Sequence, residues 1–303
     1  MRSIVVGVRG AHALDPALDF ALEEAVRRRL PLEAVHCTDA RGAGPSAQDE
    51  LATALAHAAR RVPGGQTVAA RPIVREGPVA QCLSSLASPA ALLVVGRGER
   101  GGLAADILRR SWAPVAVVPH SSPKVGDRWM RSRVIVGVDG SAASTSALLW
   151  AAAQAQEWDS VLAPVVVSSG AGLPPAALTR HTANLNAALW KAVREAGGSA
   201  LEVHPRFLEG SAAQAILSLA EPEDLLVLGS RGRPGGGRVS QAVTELAQGP
   251  VVVIREGQSR RETHQRSKRA LVSLRSPWGG PSVGSGRTFG TGTDRGTPRT
   301  LRT

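Results

Sequence analysis

The chain has 303 residues, two cysteines and a formal net charge of +11. This length predicts two ordinary domains, each large enough to bury a core without covalent cross-links. Cys37 and Cys82 form neither a CxxC pair nor a metal-ligand spacing, which excludes a zinc site and a disulfide framework and favours a reducing, cytoplasmic location. No apolar run approaches the roughly 20 residues of a membrane-spanning helix.

Most of the positive charge lies in the C-terminal tail, residues 256–303. The tail carries ten Lys and Arg side chains against three carboxylates, is rich in Gly, Ser and Thr, and has no periodic apolar face. We expect it to be disordered, because it buries too little surface to offset its ordering entropy. It is either a basic arm for nucleic acid or an acidic partner, or a solvated extension without a specific partner. We expect the solvated extension, and no binding to nucleic acid or to membranes.

Residues 1–120 alternate short apolar strands with amphipathic helices. The first strand, SIVVGV, precedes a helix in LDPALDFALEEAVRRR, for which Asp15 is the expected N-cap and Pro16 the first helical residue. The later strands are PLEAVHC, TVAARPIV, ALLVVG and PVAVVP, and the later helices are SAQDELATALAHAAR, EGPVAQCLSSLA and LAADILRRSW. This alternation predicts βαβ units and a parallel sheet covered on both faces.

Residues 133–255 repeat this order after a polar linker, residues 121–132. The strands are VIVGVD, VLAPVVVS, ALEVHPRF, DLLVLG and PVVVI, and the helices are STSALLWAAAQAQ, LTRHTANLNAALWKAVREA, EGSAAQAILSLA and VSQAVTELA. The offset between matching residues stays at about 130 to 136, which indicates a duplicated domain. We expect the two copies to pair within the chain through their last strands, which are apolar and would otherwise be exposed sheet edges.

The second copy carries candidate binding residues at one edge of its predicted sheet. Open parallel sheets bind ligands beyond the carboxyl ends of their strands, where the winding direction reverses. An acid follows the first strand there, and a glycine-rich turn follows the fourth. The candidates are Asp139, Gly229, Arg231, Gly232, Gly237 and Arg238. Backbone N–H groups and arginine forks favour a phosphate ligand, although glycines that merely permit tight packing would give the same pattern.

These segments resemble the universal stress protein family in its tandem form. The resemblance is carried by VIVGVDGSAAS, by EGSAAQAI, and by DLLVLGSRGR with the following VSQAV and PVVVI; it covers residues 3–119 and 133–255. It implies an α/β fold of two Rossmann-like domains, related to the adenine-nucleotide alpha hydrolases, each with a five-stranded parallel sheet of order 3-2-1-4-5. It also implies a non-enzymatic stress-response protein that binds ATP or another adenine nucleotide. In the family, the acid after the first strand lies near base and ribose, and the glycine turn holds the phosphates.

Both copies depart from the family pattern, in which Gly, two residues, Gly, nine residues and then Gly-Ser or Gly-Thr follow the fourth strand. In the second copy the loop between Gly232 and Gly237 is five residues short, and Arg238 stands at the hydroxyl position. In the first copy Arg9 replaces the acid, and an Arg side chain accepts no hydrogen bond. We therefore expect at most one nucleotide per chain, bound weakly in the second copy. The alternative is a protein-interaction module whose two nucleotide sites are both degenerate.

Other motifs give weaker indications. The turn GRGERG, Gly96 to Gly101, fits the dinucleotide pattern G-x-G-x-x-G, but the next strand ends without the acid that would bind ribose. The sequence has no Gly-Lys pair for a Walker loop, and no catalytic constellation or metal-ligand spacing is visible in it. The expected interactions are therefore a small nucleotide, an unidentified protein partner and the pairing of the two domains.

Overall fold

The structure of the chain is a computed structural model that describes residues 2–9, 15–38, 45–87, 90–98, 102–120, 133–168, 201–230 and 237–256, together with residues 183, 186, 187 and 190. Residues 1–266 form one compact unit, and a second unit, residues 267–303, lies outside the described residues. The predicted linker and the predicted disordered tail beyond Glu256 lie outside them too. The domain boundaries drawn from the sequence therefore stay a prediction.

The described residues of the first half form five strands and four α-helices in alternation. The strands are β1 (Ile4–Gly7), β2 (Leu32–Thr38), β3 (Ala70–Glu76), β4 (Leu92–Gly96) and β5 (Val115–Val118). The helices are α1 (Pro16–Arg28), α2 (Pro45–Arg61), α3 (Val79–Ala87) and α4 (Gly102–Arg110). Asp15 is the N-cap of α1, as predicted, since its side chain accepts hydrogen bonds from the backbone of Ala17 at 2.9 Å and of Leu18 at 3.4 Å.

The second half repeats this order. Its strands are β6 (Arg133–Gly137), β7 (Val161–Ser168), β8 (Arg206–Glu209), β9 (Leu225–Ser230) and β10 (Val251–Arg255). Its described helices are α5 (Ala142–Trp158), α6 (Ala212–Leu219) and α7 (Arg238–Leu246). The helix predicted over residues 178–196 lies largely outside the described residues. Most other elements are found within a few residues of their predicted ends.

Strand β8 is the exception, because it was predicted to run from Ala200 to Phe207. The backbone of Leu162 does bond to Glu202 and His204, at 2.9 and 2.8 Å, so pairing with β7 begins early. The ladder is then interrupted because Pro164 of β7 has no N–H to donate to the carbonyl of His204, and regular pairing resumes only at Arg206.

All ten strands form one continuous sheet of order β3-β2-β1-β4-β5-β10-β9-β6-β7-β8. Each half contributes five parallel strands in the predicted order 3-2-1-4-5, which confirms the α/β fold class. The halves join where β5 and β10 pair antiparallel, with Val117 opposite Val251 and Val115 opposite Val253. The last strands are thus paired, as predicted, and neither of them is an exposed edge.

A shared core lies on one face of the sheet, where α1 of the first half and α5 of the second half meet. Apolar residues of both halves form one buried cluster there, including Phe20 and Leu22 of α1 and Trp150 of α5. Buried polar groups also cross this contact. Arg28 donates to Glu24 at 2.8 Å and to Gln154 at 2.6 Å, and Gln154 donates back to Glu24 at 3.2 Å. Because these groups satisfy one another, α1 and α5 pack in one specific arrangement.

Arginines reach from each half to a helix end in the other. Arg97, just after β4, donates to the carbonyl of Ala247 at 2.6 Å and to that of Glu245 at 3.1 Å, at the C-terminus of α7. Arg255, at the end of β10, donates to the carbonyl of Arg109 near the C-terminus of α4. Cations at helix C-termini satisfy orphan carbonyls and complement the helix dipole. These two contacts therefore tie the halves together on the face opposite the shared core.

Candidate functional site

The candidate site of the second half lies at the carboxyl edge of the sheet, where β6 and β9 are parallel neighbours. Asp139 follows β6 and is exposed. Its carboxylate accepts a hydrogen bond from the backbone N–H of Ser141 at 2.9 Å, and Ser141 in turn caps α5 by accepting from the backbone of Ser144 at 3.1 Å. Asp139 thus shapes the turn into α5 and presents its carboxylate at the sheet edge.

Gly229, near the end of β9, has a packing role that the sequence analysis did not separate from ligand binding. A Cβ at this position would lie 2.6 Å from the backbone C of Ala143 and from the backbone N of Ser144, far below any normal contact. The first turn of α5 therefore rests directly on the strand, and only glycine fits. The close approach holds α5, and with it the Asp139 turn, against β9.

Gly237 precedes α7 with a φ of 129°, a conformation that side-chain-bearing residues rarely adopt. The hydroxyl of Ser240 donates to its carbonyl at 3.0 Å, and Ser230 Oγ lies 3.9 Å from the position that a Cβ on Gly237 would take. Arg238, the first residue of α7, is exposed. The start of α7 is therefore brought close to the end of β9, as the family resemblance implied.

Two hydroxyl residues at this edge, Ser230 and Ser240, were not among the predicted candidates. Arg238 stands where the family has Ser or Thr, and Ser240 lies two residues later, in the first turn of α7. The sequence signal for Ser240 is therefore a hydroxyl residue within one turn of the expected position. Of the remaining candidates, Arg231 and Gly232 lie outside the described residues.

In the first half, the same edge of the sheet holds a cavity of about 190 Å³. It lies beyond β1 and β4, the strands that correspond to β6 and β9. Arg9 lines it where the second half has Asp139, and Arg9 Nη2 lies 3.4 Å from the position that a Cβ on Gly98 would take. The cationic side chain therefore faces the turn that follows β4, and no equivalent of the Asp139 carboxylate is present at this position.

Histidine, thiol and apolar side chains complete the lining of this cavity. His36 bonds through Nδ1 to the carbonyl of Val8 at 2.9 Å; since a carbonyl only accepts, Nδ1 carries the proton. His120 and Cys37 line the cavity beside Leu83. None of these side chains is a predicted site residue, because they come from separate elements and no sequence spacing connects them. The carboxylate of Asp15 also lines the cavity, but it caps α1.

The described residues contain no group of three or more His, Cys, Asp or Glu placed to share a metal ion. Within the same part of the chain, no helix has the length and apolar character needed to cross a bilayer.

Comparison with known proteins places this geometry in a family. The sequence model of the universal stress protein family matches residues 130–255, the whole of the second half. A universal stress protein of Mycobacterium tuberculosis is 26% identical over 300 residues, covering 84% of this chain and 96% of the relative. The second half is a universal stress protein domain. The long alignment extends through both halves, so the tandem arrangement is shared with that relative.

Other similarities support the universal stress protein fold. Another universal stress protein of Mycobacterium tuberculosis is 34% identical over 151 residues, which is 46% of this chain, and the chain covers only 56% of the length of that relative. The crystal structure of a universal stress protein from Archaeoglobus fulgidus aligns with a TM-score of 0.58 at 18% identity, covering 84% of this chain and 96% of that one. At this low identity the structural match shows the fold alone.

Proposed function

We propose that the chain is a non-enzymatic stress-response protein that binds ATP or another adenine nucleotide through its second half. The observation that carries the proposal is the juxtaposition of Asp139, exposed after β6, with the end of β9 and the start of α7. This is the point of the sheet where the winding direction reverses, and open parallel sheets bind their ligands there.

The residues of the second half fit the two ends of a nucleotide. A carboxylate has lone pairs on two oxygens, so Asp139 can accept from ribose or base donors while it holds the N–H of Ser141. The start of α7 offers backbone N–H groups and the positive end of a helix dipole, and the exposed guanidinium of Arg238 adds a fork for phosphate oxygens. Together these groups would bind and orient the nucleotide.

The shortened turn between Gly232 and Gly237 limits this site. A loop five residues shorter than the family pattern offers fewer amides to surround the outer phosphates. We therefore expect weak binding and poor discrimination between ATP, ADP and AMP. Arg238 offsets part of the loss as a phosphate fork.

Calorimetric titration of the full chain with ATP tests the proposal. Asp139→Ala removes a hydrogen bond to a charged acceptor, which costs roughly 1.5–3 kcal/mol, so the affinity should fall about ten- to a hundredfold. Asp49→Ala is the matched control, because it removes one exposed carboxylate from α2 of the first half. Binding that is equally strong in both variants would contradict the proposed role of Asp139.

The second candidate function is a protein-interaction module that binds no nucleotide. The packing of Gly229 against the backbone of α5 favours it, because this role explains the glycine without a ligand. The two candidates separate in one experiment, in which the purified protein is heated and the released small molecules are identified by mass spectrometry. An adenine nucleotide in the supernatant supports the first function. Its absence, together with no calorimetric signal for ATP, supports the second.

A further inference from the structure

The two cysteines of the chain lie near the first-half cavity: Cys37 lines it, and Cys82 belongs to α3, which also contributes to the lining. Cys37 is the penultimate residue of β2, and Cys82 lies in the first turn of α3, roughly 45 residues later. Both are free thiols and both are half-buried. Nothing in the nucleotide-binding proposal uses them.

Backbone contacts bring α3 back onto the end of β2. In the β2–β3 ladder, Thr38, the neighbour of Cys37, pairs with Glu76. The chain then turns, and the N–H of Gly77 donates to the carbonyl of Thr38 at 3.0 Å. Cys82 Sγ donates to the carbonyl of Glu76 at 3.5 Å. The thiol of Cys82 is therefore held against a turn that is itself bonded to the strand end carrying Cys37.

The side chain of Cys37 lies on the face of the sheet that α3 covers. Val35 and Cys37 are two residues apart, so their side chains point to the same face of the sheet. Val35 belongs to the apolar cluster that includes Leu83, the residue that follows Cys82 in α3, and Cys37 packs against that cluster. Burial, the charge of Cys82 and a hydrogen bond to Cys82 raise the pKa of Cys37 to about 12. The two thiols are therefore close enough to interact electrostatically.

We propose that Cys37 and Cys82 form a dithiol that a hydroperoxide oxidises to an intramolecular disulfide. In the first step the Cys82 sulfur attacks one peroxide oxygen; an S–O bond forms, the O–O bond breaks, and the leaving oxygen takes up the proton that the Cys82 thiol loses. In the second step Cys37 gives its proton to water and attacks the sulfenic sulfur of Cys82. An S–S bond forms, the S–O bond breaks, and hydroxide leaves. Hydrogen peroxide is reduced to two molecules of water.

The disulfide would cross-link two walls of the cavity. Cys37 lines it from β2, and Val79 and Leu83 line it from α3. The reduced pair allows α3 to move relative to the strand end, whereas the S–S bond fixes the sulfurs about 2.05 Å apart. Oxidation therefore alters the wall of the first-half cavity while the site around Asp139 in the second half keeps its lining.

Peptide mapping of the full chain tests this proposal. The reduced protein is treated with one equivalent of hydrogen peroxide, free thiols are blocked with maleimide in denaturant, and tryptic peptides are analysed without reductant. We expect peptide 30–41 to be linked to peptide 76–97 and the intact mass to fall by two hydrogens. The control is Cys82→Ser combined with Ser85→Cys, which moves the thiol to an exposed position on the same helix. The control should give no link within one chain.

The pH dependence of closure is an independent readout. Because the second step needs the Cys37 thiolate, the disulfide should form about tenfold faster for each unit of pH between 7 and 10. A sulfenic acid trapped at Cys82 by dimedone at neutral pH should disappear at higher pH. Links only between chains, a sulfinic acid at Cys82 without a linked peptide, or equal linkage in the control would overturn the proposal.

Discussion

The two halves of the chain share a sheet but differ at its carboxyl edge. In the second half an exposed acid, Asp139, follows β6, and Gly237 is the N-cap of α7. Behind β1 the first half has Arg9, a cavity of about 190 Å³ and a thiol, Cys37. The strands beneath both edges are buried and pair in the same order. Sequence divergence between the copies has therefore changed the chemistry of the edge and preserved the fold.

The corresponding glycines at the ends of β4 and β9 show how the edges diverged. A Cβ on Gly229 would collide with the backbone of α5, whereas a Cβ on Gly96 would meet only His120 Cε1 at 3.8 Å, an ordinary contact. In the second half the space beside the strand end is filled by helix backbone. In the first half it opens toward the cavity.

The largest expected effect comes from breaking the buried polar network that joins α1 and α5 in the shared core. Arg28→Ala should lower the free energy of unfolding by about 3–5 kcal/mol, because it leaves the buried Glu24 carboxylate with only Gln154 as a donor from this network. Urea denaturation measures the change. Arg71→Ala is the control, since the Arg71–Glu33 pair is exposed and should contribute less than about 1 kcal/mol. Equal losses in the two variants would show that the α1–α5 network does not stabilise the pair.

An intermediate effect should distinguish the two strand ends. Gly229→Ala should destabilise the protein by about 1–3 kcal/mol, since the added Cβ must push the first turn of α5 away from β9. Gly96→Ala, the same change in the first half, should shift stability by less than about 0.5 kcal/mol. Thermal unfolding followed by circular dichroism is sufficient to compare them. If Gly96→Ala is the more damaging variant, the assignment of the packed edge to the second half is wrong.

The smallest expected effect concerns the hydrogen bonds from Arg97 to the C-terminus of α7, on the face of the sheet opposite the shared core. Arg97→Ala removes two hydrogen bonds to the end of α7 and should cost about 0.5–1.5 kcal/mol. Arg60→Ala, which removes a bond to the carbonyl of Ala56 within α2, should change stability by less than about 0.5 kcal/mol. Both values come from urea denaturation. A loss for Arg97→Ala no greater than that for Arg60→Ala would mean that the cap does not help to join the halves.

The sequence alone predicted most of the fold because the signals were local or repeated. Apolar runs and helix caps such as Asp15 marked the elements, and the duplication identified PVAVV and PVVVI as the strands to be paired. The buried network of Glu24, Arg28 and Gln154 could not be predicted, because it joins residues about 130 positions apart with no sequence pattern. Strand β8 was misplaced because the effect of Pro164 on pairing depends on which backbone groups β7 and β8 present to each other.

The candidate site was predicted less completely than the fold. Asp139 and Gly237 lie at the carboxyl edge of the sheet, and their role in binding stays a prediction, as does that of the loop residues Arg231 and Gly232. The cavity of the first half was missed, because its lining comes from β1, β2, β4 and α3 and becomes contiguous only in three dimensions. The proximity of Cys37 and Cys82 could not be predicted for the same reason, because their spacing along the chain indicates no contact.

The asymmetry between the two edges is tested most directly by counting nucleotides. Equilibrium dialysis of the full chain against labelled ATP, at concentrations that saturate binding, gives the number of sites per chain. We predict no more than one site, weakened by Asp139→Ala, because Arg9 offers no acceptor to ribose or base. Two equivalent sites per chain, or one site that persists unchanged in Asp139→Ala, would contradict the account.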